Sequence, residues 1–396
     1  MNKLPILDSK DAMNATRPKK SNKTRQVLST LRKRITEGSY RPGDKLPTYD
    51  EMEAEFDVSR MVLQQAVGRL RDDGFVRSFN RKGLFVSDAP PHLCRVALLF
   101  ADSPGDPTWS RMNSALSNET RRLAREHADW RFKIFDGMVG KPTSATKFAE
   151  LQDDIRARRV AGIVYTPRTF ELRSNRAADA PAIPQAFLSA HASEGLSPVI
   201  DLDSNRLYQR ALTRLVEKGR RRIAILHMAD TTFDVNHDAL FAEVGLKVHK
   251  PWIQWVGRSH PEFAEKLVPL LLDYPAAQRP DGLIIADDNL IEHASAGVVA
   301  SGVRVGVDLD VIAHCNWPWP LPSILPIERI GFDATDLLRR AIEGILAQRD
   351  RAEFPAVQKV PPLFEWEVEP PRVLPSPREL GTRPAKRKRD AALAVV

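Results

Sequence analysis

Between residues 58 and 83 the sequence spaces hydrogen-bonding and cationic side chains as a surface that reads a polyanion would need them. Arg60, Met61, Gln64 and Gln65 recur at a helical period, so they share one face. An arginine in a first helical turn suits guanine O6 and N7, and a glutamine pairs with adenine N6 and N7. Ser59, just before that face, and the first-turn amides suit a phosphate. Asn80-Arg81-Lys82-Gly83 is a turn signal carrying two cations, fit for a minor groove or a backbone. Arg25 and Thr48, on the preceding segments, complete the candidate set with Gly83. Each residue alone reads equally well as solvated helix surface. Their combination points to nucleic acid.

The elements that must hold these residues are legible nearby. From Ser21, Val27, Leu28, Leu31 and Ile35 mark one helical face, and Gly38 stops it. Pro42-Gly43-Asp44 is a turn. Thr48 and Glu51 form a capping box that opens a short helix burying Met52 and Phe56. Asp57-Val58-Ser59 turns and caps a third helix, Arg60 to Asp73, whose core face is Val62, Ala66, Val67 and Leu70. Gly74 ends it. Phe75–Phe79 and Leu84–Val86 are strands of a hairpin. Three helices and a basic hairpin make a winged helix-turn-helix, expected over residues 21–88.

This stretch resembles the DNA-binding domain of GntR-family bacterial transcription factors. The resemblance rests on Pro42-Gly43-Asp44-Lys45-Leu46-Pro47, on Val58-Ser59-Arg60, on Ala66-Val67 with Leu70, on Gly74, and on Gly83-Leu84-Phe85-Val86. Three positions depart from the family pattern. Asp50 stands at a usual DNA-contacting arginine, Gln64 at a second, and Arg81 at the first wing glycine. The operator is therefore expected to differ from the common one, with affinity leaning on Arg25, Arg81 and Lys82.

After Pro90-Pro91, read as a stiff linker over 89–93, the pattern changes. Apolar runs such as Arg95–Phe100, Val160–Tyr165, Ile223–Leu226 and Gly282–Ala286 read as buried parallel strands, with amphipathic helices between them. Such alternation predicts an α/β unit over 94–370, in two sets near 94–200 and 201–325, with a helix and crossover at 326–370. Ligands of parallel sheets bind at the strand C-terminal ends.

This region resembles the effector-binding core of LacI/GalR-type repressors, a type I periplasmic-binding-protein-like fold of two lobes. The motifs are Ile200–Asn205, Leu215–Leu226 around Lys218-Gly219-Arg220, Pro280–Asp288 and Val303–Ala313. Arg220, Asp287 and Cys315 depart from the usual His, Asn and Asp. Carried over by position, the resemblance implies effector contacts at Asp102, Trp109, Asp203, Asp287, His314 and Asn316. Carboxylates and amides would bind hydroxyls, and the Trp would stack on a sugar face. As a structural alternative, each is a strand-end cap or a core residue. His237 is a further candidate at a helix start.

Charge supports the division. The net charge is +8. Residues 16–87 carry 16 Lys and Arg against 9 Asp and Glu, and residues 372–390 carry 7 against 2, so the middle is mildly acidic. The leader 1–20 and the basic tail 371–396 read as disordered, with phosphate contact or a nuclear signal as readings of the tail. Two cysteines give no metal spacing and no disulfide framework, which fits a reducing cytosol. Neither a signal peptide nor a membrane span is expected. The sequence thus predicts a cytoplasmic, homodimeric regulator without cofactor, binding a near-palindromic double-stranded operator under control of a small molecule of sugar type. A DNA-binding head fused to an aminotransferase-type enzyme, or a non-transport binding protein, are the alternatives. No nucleophile elbow, P-loop or metal motif supports catalysis.

Overall fold

The computed structural model describes residues 18–127, 129–174, 182–189, 195–229, 235–369 and 374–377. The expected leader and most of the expected tail fall outside these. The chain divides into two compact units: residues 1–95 with 156–161, and residues 96–155 with 162–396. Among the described residues, no helix is long and apolar enough to cross a membrane.

In the first unit, helix α1 spans Pro18–Thr36. It starts before Ser21 because proline, lacking an amide donor, is tolerated in a first turn. Val27, Leu28, Leu31 and Ile35 are buried, as their period requires. The capping box forms: Glu51 N donates to Thr48 Oγ1, and Thr48 N donates to Glu51 Oε2 at 2.7 Å. It opens α2, Tyr49–Phe56, which ends at Asp57 in a left-handed conformation. Helix α3, Arg60–Asp72, buries Val62, Leu63, Ala66, Val67 and Leu70 against α1 and α2. Strands β1, Val76–Phe79, and β2, Gly83–Val86, pair antiparallel with Phe79 opposite Gly83. The segment expected as a stiff linker is a helical turn, α4, Pro91–Cys94, where the buried Cys94 thiol donates to the carbonyls of Ala89 and Pro90.

The second unit holds two six-stranded sheets. In chain order its elements are β3 Arg95–Leu99, α5 Arg111–Glu126, β4 Arg131–Phe135, α6 Ser144–Arg156, β5 Gly162–Tyr165, β6 Gln185–Ser189 and β7 Val199–Leu202. Then follow α7 Ser204–Glu217, β8 Ile223–Met228, α8 His237–Glu243, β9 Ile253–Val256, α9 Phe263–Leu272, β10 Gly282–Ile285, α10 Ile291–Ala300, β11 Asp310–Trp317, β12 Glu328–Asp333, α11 Ala334–Asp350, β13 Val357–Val360 and β14 Leu363–Phe364. One sheet has the order β13-β7-β6-β5-β3-β4, the other β14-β12-β11-β10-β8-β9. All six residues of β8 and all four of β5 and β10 are buried, as parallel strands covered on both faces must be.

Each sheet takes strands from beyond residue 325. β12 and β14 join the second, and β13 pairs in parallel with β7 of the first. Helix α11 also packs on β5, β6 and β7 of the first sheet and on α5. The chain therefore passes between lobes three times, through α7, through α11 and between β13 and β14. At β12, Gly331 lies opposite Cys315, and a Cβ there would sit 1.8 Å from the Cys315 carbonyl oxygen, so no larger residue fits. Residues 374–377, expected inside a disordered tail, pack instead: Leu374 is buried, and Trp130 Nε1 donates to the Pro375 carbonyl at 2.7 Å. Removing a large apolar side chain from water and satisfying an indole N–H outweigh the bias of the flanking prolines.

Candidate functional site

Helix α3 turns its apolar residues inward, so Met61, 50% exposed, and Gln64 are left facing outward. Gln65 is exposed beside Gln64, and its Oε1 also accepts from Thr24 Oγ1 at 3.2 Å, which links α3 to α1. Ser59 holds the N-cap position, yet its hydroxyl makes no cap hydrogen bond and remains available to an oxyanion. Thr48, by contrast, spends its hydroxyl on Glu51. Arg25 is exposed, as are Arg81, Lys82 and Gly83 at the hairpin tip. Arg81 sits at φ 60°, a left-handed position that costs a non-glycine residue about 1–2 kcal/mol. Lys45 belongs to a motif that reads as a turn. It bridges to Phe85 of β2, and its Cε lies 3.1 Å from where a Gly83 Cβ would be, adding a third cation to the hairpin.

Arg60 is the most constrained member of this face. Its Nη1 lies 2.5 Å from Asp50 Oδ1 and 3.6 Å from Glu53 Oε2, and its guanidinium carbon sits 4.7 Å from the Tyr49 ring centroid.

In the second unit, strand C-terminal ends bring together most of the expected ligand residues in two groups. In the first lobe, buried Asp102 follows β3. It accepts from Thr108 Oγ1 at 2.8 Å and pairs with Arg168 at 2.7 Å. Trp109 is half-buried, edge-on to Phe100, and its Nε1 donates to Ser114 Oγ. In the second lobe, Asp287 and Asp288 follow β10, and His314 and Asn316 lie in β11. Asn316 Nδ2 donates to Asp288 Oδ2 at 2.6 Å, and His314 Nδ1 stands 3.7 Å from Asp288 Oδ1, beyond hydrogen-bond range. Asn316 Oδ1 and His314 Nδ1 are buried without a hydrogen-bond partner among the described residues. Asp203 falls outside both groups. It caps α7 by accepting from Arg206 N, which is a structural task.

The electrostatics of the second group are strongly perturbed. Burial and the neighbouring Asp288 carboxylate push the Asp287 carboxyl above its ordinary range, although Asn289 donates to it. For His314, burial disfavours the cation, but Asp288 and Asp287 outweigh that and raise its affinity for a proton. Burial also pushes the Cys315 thiol far up, which makes it a poor nucleophile. Such a cluster offers proton donors and acceptors to hydroxyl groups.

The lobes meet where Arg111 N donates to Asn289 Oδ1 at 3.0 Å. There Trp109, Arg111, Ser114, Arg258, Asn289 and His293 are among the residues lining a cavity of about 190 Å³. Among the described residues, the side chains of Arg111 and Arg258 have no ion-pair partner. Another cavity of about the same volume, lined by Asp333, Asp336, Arg339 and Glu367 among others, lies at the start of α11.

A family described as bacterial regulatory proteins, gntR family, matches residues 23–86. The mannosyl-D-glycerate transport/metabolism system repressor of Escherichia coli is 34% identical over 64 residues, which are 16% of this chain and 27% of that protein. The chain thus spans about a quarter of that relative. The arabinose metabolism transcriptional repressor of Geobacillus stearothermophilus is 33% identical over 358 residues, covering 84% of this chain and 91% of that protein. The chain belongs to the GntR family of bacterial regulators. A solved structure of a LacI-family regulatory protein from Chloroflexus aggregans aligns with a TM-score of 0.54 at 17% identity, over 69% of this chain and 96% of that one. At that identity the likeness speaks for the fold of the lobed unit.

Within this GntR-family chain a further cluster escaped the sequence reading, apart from His237. His227 Nδ1 is 3.0 Å from the Tyr208 hydroxyl, and His227 Nε2 is 2.8 Å from His237 Nε2. Trp255 stacks on His227 at 5.1 Å. Burial, with the nearby His237, pushes His227 down to about 3, and burial also lowers His237. No spacing rule joins residues 208, 227, 237 and 255, because three different strand–helix connections assemble them. The same holds for Arg168, Arg258 and Asp288.

Proposed function

We propose that this GntR-family protein is a cytoplasmic, homodimeric transcription regulator that releases or grips a near-palindromic operator when a sugar-type molecule binds between its lobes. The observation that carries the reading is the exposed face at the start of α3, with Arg60, Met61 and Gln64 beside a cationic hairpin. A helix of this kind enters a major groove, and one head reads a short half-site, so two heads and a two-fold operator follow.

The sugar reading is supported by carboxylates, an imidazole and an amide gathered at the strand ends, and by the arabinose repressor among the relatives. A ligand touching both lobes stabilises the closed arrangement by its differential affinity for closed and open states, and by no more than that. The test is fluorescence anisotropy with DNA from the protein's own promoter region. Binding should weaken steeply as salt rises, and one sugar of a pentose and hexose panel should shift the midpoint. Salt-independent or absent binding would sink the reading.

A further inference from the structure

We propose that Asp50 is a positioning residue that turns Arg60 into a fixed reader of one G·C pair in each half-site. This rests on the DNA-binding reading above and adds the base pair and the device that selects it.

The argument starts with α2. Its capping box places Tyr49 and Asp50 in the first turn, and Asp50 and Glu53, three apart, share a face. Arg60 opens α3 and reaches back to that face. Two carboxylates and an aromatic ring from one helix thus hold the first guanidinium of the next. All of this happens at the surface: the Arg60 side chain is 50% exposed and that of Asp50 86%. In water such a pair contributes little to stability, because solvent screens it. The pair is therefore poorly explained as a means of holding the head together.

Its effect appears when DNA covers it. A free arginine gives up rotamer freedom when it is fixed. Arg60 is already ordered by Tyr49 and Asp50, so a bidentate contact with guanine O6 and N7 costs less on binding. Excluding water also strengthens the ion pair. Asp50 discriminates as well. A carboxylate at a groove repels phosphates and base acceptors, and it is tolerated where a cytosine N4 amine can donate to it. The same carboxylate cancels much of the Arg60 charge, so Arg60 gains little from sliding onto a phosphate. The pair exchanges non-specific affinity for base choice.

The test uses the full-length protein to select a motif from a random duplex library. Anisotropy then compares the selected duplex, its single-base variants and a random duplex. Asp50→Ala should keep the thermal midpoint and bind the random duplex several-fold tighter. Its log–log salt slope should steepen by about 0.9, one extra phosphate contact. Discrimination at one G·C position should fall about tenfold. Arg60→Ala should lose preference at that same position, and Asp50→Glu should restore most of it. If Asp50→Ala leaves base preference and salt slope unchanged, or if the two alanine variants affect different positions, Asp50 is no more than a first-turn charge on α2, and the regulator reading stands without it. If the wild-type protein selects no motif at all, both readings fall.

Discussion

The two units of this protein handle charge in opposite ways. The head keeps Arg60, Gln64, Arg81 and Lys82 on the outside of a small apolar core, where water screens them and a partner can reach them. The lobed unit draws Asp102, Asp288, His314 and Asn316 inside, where each polar group needs a neighbour or a ligand. Surface charges are interchangeable at small cost, and buried ones are not. The head is therefore expected to tolerate change in stability while being sensitive in affinity, and the lobes the reverse.

That contrast fails or sharpens at specific residues. The largest effect is expected at Asp288. Asp288→Ala removes the acceptor for Asn316 and the carboxylate facing His314, leaving buried polar groups uncompensated, and should cost about 3–5 kcal/mol in urea unfolding of the lobed unit. A loss within the range of a surface substitution would break the comparison. Next comes pH. His227 is neutral when folded because burial holds it near 3, whereas an unfolded histidine titrates near 6.5. The unfolded chain then binds more protons below that value, so stability is intact above it and is lost as pH falls. The loss should reach about 2 kcal/mol at pH 5. His227→Phe should flatten the slope of unfolding free energy against pH over that interval.

On the head the expected changes lie in affinity. Arg60→Ala should weaken binding to a selected operator by about 1–3 kcal/mol in anisotropy titrations while leaving the melting midpoint in place. Arg81→Gly should separate the two properties further. It relieves the left-handed strain and should stabilise the head by about 1 kcal/mol, yet weaken binding to all sequences alike and lower the salt slope by about 0.9. If stability and affinity moved together in these variants, the head would have no division between core and reading surface.

Legibility in the sequence follows the same division. Thr48 with Glu51, the apolar period of α1 and α3, and the turn before Gly83 are local patterns, and each appears as read. Gln65 is exposed as the helical period requires, while its bond to Thr24 of α1 follows from the helix crossing and has no local signal. In the lobes the strands were legible as apolar runs, while their order was not. Strand β13 beside β7 joins residues more than 150 apart in sequence.

By itself the sequence determined the head, the α/β alternation and the positions of the chemistry-bearing strand ends, because capping, periodicity and turn preference act over a few residues. Tertiary structure alone decided which of those residues meet. It joined Asp50 to Arg60, gathered Asp288, His314 and Asn316, built the Tyr208–His227–His237 chain and gave Asp203 to a helix cap. Those pairings depend on strand order and helix crossing, which are settled by burying apolar area across the whole unit and leave no local mark on the chain.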